Sequence, residues 1–220
     1  MTASNSASVL LTGFEPFAGD AVNPAREIVL ALAGTTIAGH RVIAQVLPVA
    51  FAAALHALDA AIAAERPALV IAIGQAGGRA GISIERVAIN LIDARIPDNT
   101  GAQPIDVPVI AGAPAAYFST LPVKAMLAAL HATDIPAELS FSAGSYVCNA
   151  VFFALMHHLA TRHPSVRGGF IHVPYLPQQA AAHPGAPGMA LATMTRGIGI
   201  AITAALTHAR DVRVHGGAIA

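Results

Sequence analysis

The sequence switches repeatedly between two hydrophobic periods: short β-rich runs, several of them apolar at nearly every position, alternate with longer stretches of helical spacing. That alternation confines the chain to an α/β architecture. A strand that is apolar on both faces must be covered by helices on both, and strand–helix–strand order sets neighbouring strands parallel. SVLLTGF (8–14), RVIAQVLP (41–48), ALVIAIG (68–74), LSFSA (139–143) and GGFIHVP (168–174) read as strands. NPAREIVLALAG reads as a helix with Asn23 as N-cap, Pro24 at the first helical position and Gly34 closing it. Residues 50–66, 122–131, 148–162 and 187–209 supply the other helices. Five strands and five helices make a three-layer α/β/α single domain over residues 1–220 with a mostly parallel, mixed sheet. Residues 1–7 and about 210–220 are expected to fray.

Such an apolar chain raises the question of a membrane: hydrophobic residues make up 55% and charged residues 11%. No window reaches the roughly 18–20 uninterrupted apolar residues of a spanning helix. MTASNSASVLLTGFEPF lacks the basic start and cleavage pattern of a secretory signal, so a cytoplasmic protein is expected. Twelve basic and twelve acidic side chains cancel without a basic cluster, which argues against nucleic acid and anionic membranes as partners. The single cysteine excludes an internal disulfide, and a surface so poor in charge suggests a homo-oligomer.

Two stretches break the regular pattern. In ISIERVAINLID (82–93) the alternation slips at Glu85–Arg86, which reads either as a bulge beside a site or as a kinked edge strand with an exposed Glu85. Periodicity alone slightly favours the edge strand. The proline-rich loop over 95–116 is long enough to be a lid or a subunit arm.

Chemistry enters with SAGSYVCNAVFFALMHH, where Cys148 stands between a small-residue turn and an apolar helix. A lone cysteine there is ordinarily a buried hydrophobe; as a nucleophile it needs a base and a group that orients the base. Of ten histidines, only His172 ends a strand, on the sheet edge where open α/β sheets bind ligands. A thiol at a helix start has its thiolate favoured by the helix dipole. Glu85 and Asp93 both qualify as the third group, and spacing does not choose between them. GQAGGRAG (74–81) fits neither nucleotide-binding glycine pattern, and His157 and His158 lack zinc-ligand spacing, so no metal and no cofactor is expected.

LLTGFEPFAGDAVNPA, IGQAGGRAGISIERVAINLIDARIPDNTG, SAGSYVCNAVFFALMHH and GFIHVPYLPQQ together resemble the pyroglutamyl peptidase I family of cysteine exopeptidases. The resemblance implies Cys148 as nucleophile, His172 as base and Glu85, over Asp93, as the orienting carboxylate. It further implies that Phe14 and Phe17 hold the pyroglutamyl ring, that Asn23 and Gln75 lie near it, and that Arg95 lies near the reacting carbonyl. Arg95's ordinary alternative is a salt bridge to Glu15 or Asp98. A peptide with an N-terminal pyroglutamate is the implied substrate, and a homotetramer the implied assembly. One departure is Ser145, where similar members commonly carry Thr. Two other readings stay open: a thiol amidase for another small N-acyl amide, and a catalytically silent binding or assembly protein on the same fold.

Overall fold

The computed structural model describes residues 7–217. Seven strands form the central sheet in the order β2-β3-β1-β4-β9-β5-β8. They are β1 (Ser8–Phe14), β2 (Thr36–Ile37), β3 (His40–Leu47), β4 (Leu69–Gln75), β5 (Ile82–Glu85), β8 (Ala137–Ser140) and β9 (Arg167–Val173). A two-stranded ribbon, β6 (Val87–Ile89) with β7 (Ala116–Phe118), stands apart. The helices are α1 (Pro24–Leu32), α2 (Phe51–Glu65), α3 (Val123–His131), α4 (Val147–Arg162), α5 (Pro177–Ala181) and α6 (Leu191–Thr207).

The apolar strands are buried on both sides, as their composition requires. Ile28, Met126 and Ile198 from α1, α3 and α6 pack with Leu69, Ile71, Ile73 and Ile171 on one face. Leu58 of α2 and Phe152 of α4 pack with Val70, Ala72 and Phe170 on the other. The mixed, mostly parallel three-layer arrangement follows. As expected, the Asn23 side chain caps α1 by accepting from Ala25 N at 3.0 Å, and Gly34 takes a left-handed φ of 74° behind it.

Three local expectations change. The slip at Glu85–Arg86 is neither an edge kink nor a simple bulge: the chain leaves the main sheet there and restarts as β6 in the ribbon. β5 lies inside the sheet between β9 and β8, and Glu85 is 0% exposed. The strand expected at 139–143 spans 137–140 and runs parallel to β5, hence opposite to β9. Its end therefore does not lead directly to the sheet edge where His172 sits. A return turn, with Gly144 at φ 78°, brings the chain back to start α4.

The 95–116 loop is anchored. Asp98 accepts from Phe51 N at 2.9 Å and from Thr100 N and Ala102 N at 2.9 Å each, and the Asn90 amide binds both N and O of Ile110. Of the ends expected to fray, 1–6 and 218–220 lie outside the described residues. Within 210–217, Asp211 accepts from Lys124 N and Ala125 N, across the start of α3.

Candidate active site

The alternation of each strand decides which side chains meet. On β5, Ile82 and Ile84 enter the α3/α6 core, turning Ser83 and Glu85 to the opposite face; on β9, Ile171 and Val173 do the same for Phe170 and His172. Antiparallel pairing of β5 with β9 then brings Glu85 and His172, 87 residues apart in sequence, into contact. His172 Nδ1 donates to Glu85 Oε1 at 2.7 Å. A carboxylate only accepts, so Nδ1 carries the proton and Nε2 keeps a lone pair for use as a base.

Cys148 is the second residue of α4, and its place over the sheet is fixed by a glycine. Gly74 is the ladder partner of His172 between β4 and β9, and a Cβ built on Gly74 would lie 2.8 Å from Cys148 Sγ and 2.8 Å from the Phe170 ring. The thiol therefore rests on the bare backbone of Gly74, the strand neighbour of His172. Tyr146 O–H donates to Pro97 O at 3.0 Å, Ser145 O–H donates to Asp93 O at 2.8 Å, and buried Asn149 binds Ile89 and Leu91. These bonds tie the start of α4 to the segment that follows β6.

Burial and charge set the resting protonation. Cys148 is partly exposed as a residue, but desolvation of its thiol, reinforced by the Glu85 charge, pushes it up to about 12 against the opposing pull of Arg79. The helix start, expected to favour a thiolate, is outweighed by that desolvation. Burial likewise holds His172 below the ordinary imidazole value, despite the Glu85 bond and charge. For Glu85, burial raises the pKa, but the His172 bond and charge, the Ser140 hydroxyl and, last, the Arg79 charge win and keep it lowered. The resting set is thus a neutral thiol, a neutral imidazole and an ionised carboxylate.

A small, mostly apolar hollow opens beside the thiol, lined by Phe14, Phe17, Asn23, Val49, Gln75, Tyr146 and Val147. All four residues expected around the ring are among them, and Arg95, expected near the reacting carbonyl, is not. Phe14 is 2% exposed and meets Phe170, so it serves the core as well; Phe17 is half-buried against Tyr146. Asn23 Nδ2 donates to Glu15 O, and Gln75 Oε1 accepts from Gln179 Nε2 at 3.0 Å. Arg95 is exposed, lines no part of the hollow and makes no ion pair among the described residues. Its alternative partners are engaged elsewhere, Glu15 with Val49 N and Asn99, and Asp98 with the loop. Asp93 is exposed and away from His172's hydrogen bond.

Val49, Tyr146, Arg79 and Gln179 were not anticipated by sequence reasoning. Gln179 lies within the YLPQQ block and Arg79 within GQAGGRAG, but neither stretch carries a periodicity that points at the site. A larger cleft, lined by Arg86, Lys124, Asp211 and His215, contains neither the thiol nor His172. No group of three or more His, Cys, Asp or Glu side chains among the described residues is arranged to hold a metal, and no helix among them is long and apolar enough to cross a membrane.

Comparison with known proteins points to one family. The profile of a family described as pyroglutamyl peptidase matches residues 7–208. The pyrrolidone-carboxylate peptidase of Klebsiella pneumoniae is 57% identical over 212 residues, covering 96% of this chain and 99% of that protein. That of Cupriavidus taiwanensis is 55% identical over 212 residues, covering 96% and 98%. The crystal structure of pyroglutamyl peptidase I from Bacillus amyloliquefaciens superposes with a TM-score of 0.93 at 42% identity, over 96% of this chain and 100% of that one. A mutant pyrrolidone carboxyl peptidase from Pyrococcus furiosus gives 0.89 at 44%, over 91% and 98%.

Proposed function

This chain belongs to the pyroglutamyl peptidase family, and on that premise we propose that it removes an N-terminal pyroglutamyl residue from peptides by acyl transfer through a thioester at Cys148. The observation that carries the reading is the contact of Glu85 with His172 at 2.7 Å, next to a thiol seated on Gly74.

The pyroglutamyl ring is a neutral lactam with two apolar faces and a polar edge. In chemistry, though not in its present width, it matches a hollow whose walls are Phe14, Phe17, Val49 and Val147 and whose rim carries the amides of Asn23 and Gln75, so the hollow must widen as the ring enters. An ordinary N-terminal residue would carry a charged amine into that apolar space unpaired, a costly burial, and this sets the preference for the lactam.

His172 Nε2 takes the Cys148 proton as Sγ attacks the pyroglutamyl carbonyl carbon, and the imidazolium so formed is stabilised by Glu85. The Cys148 backbone N–H, in the first turn of α4, is the donor for the developing oxyanion, and Arg95 is assigned to its support on the family resemblance alone. His172 then returns its proton to the leaving amine, giving the thioester. A water molecule, deprotonated by the same nitrogen, cleaves the thioester, releases pyroglutamate and restores the thiol.

In this reading the enzyme works in the cytoplasm as a homotetramer. A reducing compartment keeps the sole thiol intact, and exposed Leu30, Phe118 and Phe141 are apolar surface for subunits to cover. Light scattering measures the assembly. For the activity, purified protein should release a fluorophore from a pyroglutamyl amide, alkylation or Cys148→Ser should abolish release with the fold retained, and chelators should have no effect. Preferential cleavage of another small N-acyl amide would replace the substrate assignment, and activity surviving alkylation would remove Cys148 as nucleophile.

A further inference from the structure

The GQAGGRAG turn carries one charged residue, Arg79, which the reaction above leaves without a task. The turn curls tightly: Gly77 lies where any side chain would strike the Tyr175 ring, and Gly78 takes a left-handed φ of 88°. The curl lays Arg79 over the end of β5. Its Nη1 donates to Glu85 Oε1 at 2.6 Å, and its Nη2 donates to Ser142 O at 3.0 Å. Glu85 Oε1 thus receives two donors, Arg79 and His172, while the buried Oε2 has no partner among the described residues. One guanidinium therefore spans the carboxylate that orients the base and the turn that delivers the nucleophile.

We propose that Arg79 is a positioning residue of this site: it fixes Glu85 Oε1 as the acceptor that holds His172 in its Nδ1–H tautomer, and its charge acts on the thiol–imidazole pair beside that carboxylate. Only the kinetic part of the test rests on the peptidase reading. The charged and titratable groups facing the cluster are Glu85 from β5, His172 from β9, Cys148 from α4 and, farther out, Glu138 from β8, whose carboxylate takes the Ser83 hydroxyl. Arg86 follows Glu85 but turns to Asp211 and the Phe118 ring. Arg79 is the only Arg or Lys paired with Glu85 among the described residues. Its charge favours the carboxylate and the thiolate and disfavours the imidazolium, so its removal moves all three titrations upward.

Arg79→Met and Arg79→Lys test this, with folding followed by circular dichroism. Because Cys148 is the only cysteine, the pH dependence of its alkylation by iodoacetamide reads the thiol without any substrate. In Arg79→Met the alkylation profile and the acid limb of kcat/KM should both move to higher pH. Its kcat should fall about ten- to a hundredfold with KM nearly unchanged, as expected for a lost charge-assisted bond. Lysine keeps the charge but cannot span both acceptors, so Arg79→Lys should restore the limb and only part of kcat. A folded Arg79→Met with native alkylation profile and native kcat overturns the proposal. If Arg79→Met does not fold, Arg79→Lys decides: lowered kcat on a native limb supports it, and native kcat overturns it. If no pyroglutamyl amide is cleaved by the native protein yet the alkylation profile shifts as stated, the substrate assignment falls and the role of Arg79 stands.

Discussion

Glu85→Gln removes one negative charge while keeping every heavy atom of the side chain. In the native site Oε1 accepts from His172 Nδ1 at 2.7 Å and from Arg79 Nη1 at 2.6 Å. Two donors aimed at one atom force the Gln amide to place its oxygen there, so His172 keeps its tautomer and Nε2 remains a base. What is lost is the charge that faces the imidazolium during attack. A unit-charge pair about 4 Å apart contributes about 4 kcal/mol at an effective dielectric of about 20, and a neutral hydrogen bond retains about 1 kcal/mol of it. A net loss of about 2–3 kcal/mol corresponds to a fall of roughly 30- to 150-fold in kcat, with KM little changed. The amide nitrogen occupies the place of Oε2, which is buried without a partner among the described residues, and there an unsatisfied donor costs about 1–3 kcal/mol. Tm should drop by about 2–12 °C. Steady-state release of a fluorophore from a pyroglutamyl amide, beside a thermal melt, measures both. A folded Glu85→Gln with kcat within about twofold of native, or an Asp93→Asn that is more damaging, refutes the assignment.

Three further outcomes follow from the geometry. Gly74→Ala puts a methyl group 2.8 Å from both Cys148 Sγ and Phe170, so the thiol must move and kcat should fall by at least about tenfold in folded protein; native turnover would remove Gly74 as its seat. Phe14→Ala should act mainly through the core, destabilising by about 3–5 kcal/mol, whereas half-buried Phe17→Ala should lower kcat/KM by about one to two powers of ten with a small change in Tm; the reverse pattern would exchange their roles. His172 titrates below its unfolded value and must be neutral to act, so the acid limb of kcat/KM should lie below the ordinary imidazole range. The unfolded chain takes up that proton more readily, so His172 costs stability as pH falls below its unfolded pKa. Glu85, lowered in the fold, stabilises above the unfolded carboxylate pKa, and that contribution is lost as pH falls through its folded value. An acid limb above the ordinary imidazole value would contradict the stated burial.

Much of the fold was legible because the signals that specify it are local. Apolar runs such as LVIAIGQ announce strands buried on both faces, and Asn23–Pro24 announces the start of α1. Cys148 at a helix start and His172 at a strand end could be singled out by position alone. The carboxylate could not: Glu85 and Asp93 were equivalent by spacing, and resemblance to a family separated them. Periodicity even leaned towards an exposed Glu85 on an edge strand.

The tertiary structure decided what local pattern cannot encode. Inserting β5 between β9 and β8, antiparallel to β9, is a pairing choice between segments 87 residues apart; it buries Glu85 and sets it against His172. The same pairing reverses β8, so that the turn 141–146, rather than the end of a strand, delivers Cys148 to the edge. Arg79 gives no sign of its partner in the sequence, because its reach depends on how two glycines curl the turn over a strand placed by that pairing. Composition and period fix which segments become strands and helices, since those depend on neighbours along the chain. Strand order, direction and the side chains that meet across them depend on burial summed over the whole sheet, and the buried carboxylate, its arginine and the apolar hollow all arise at that level.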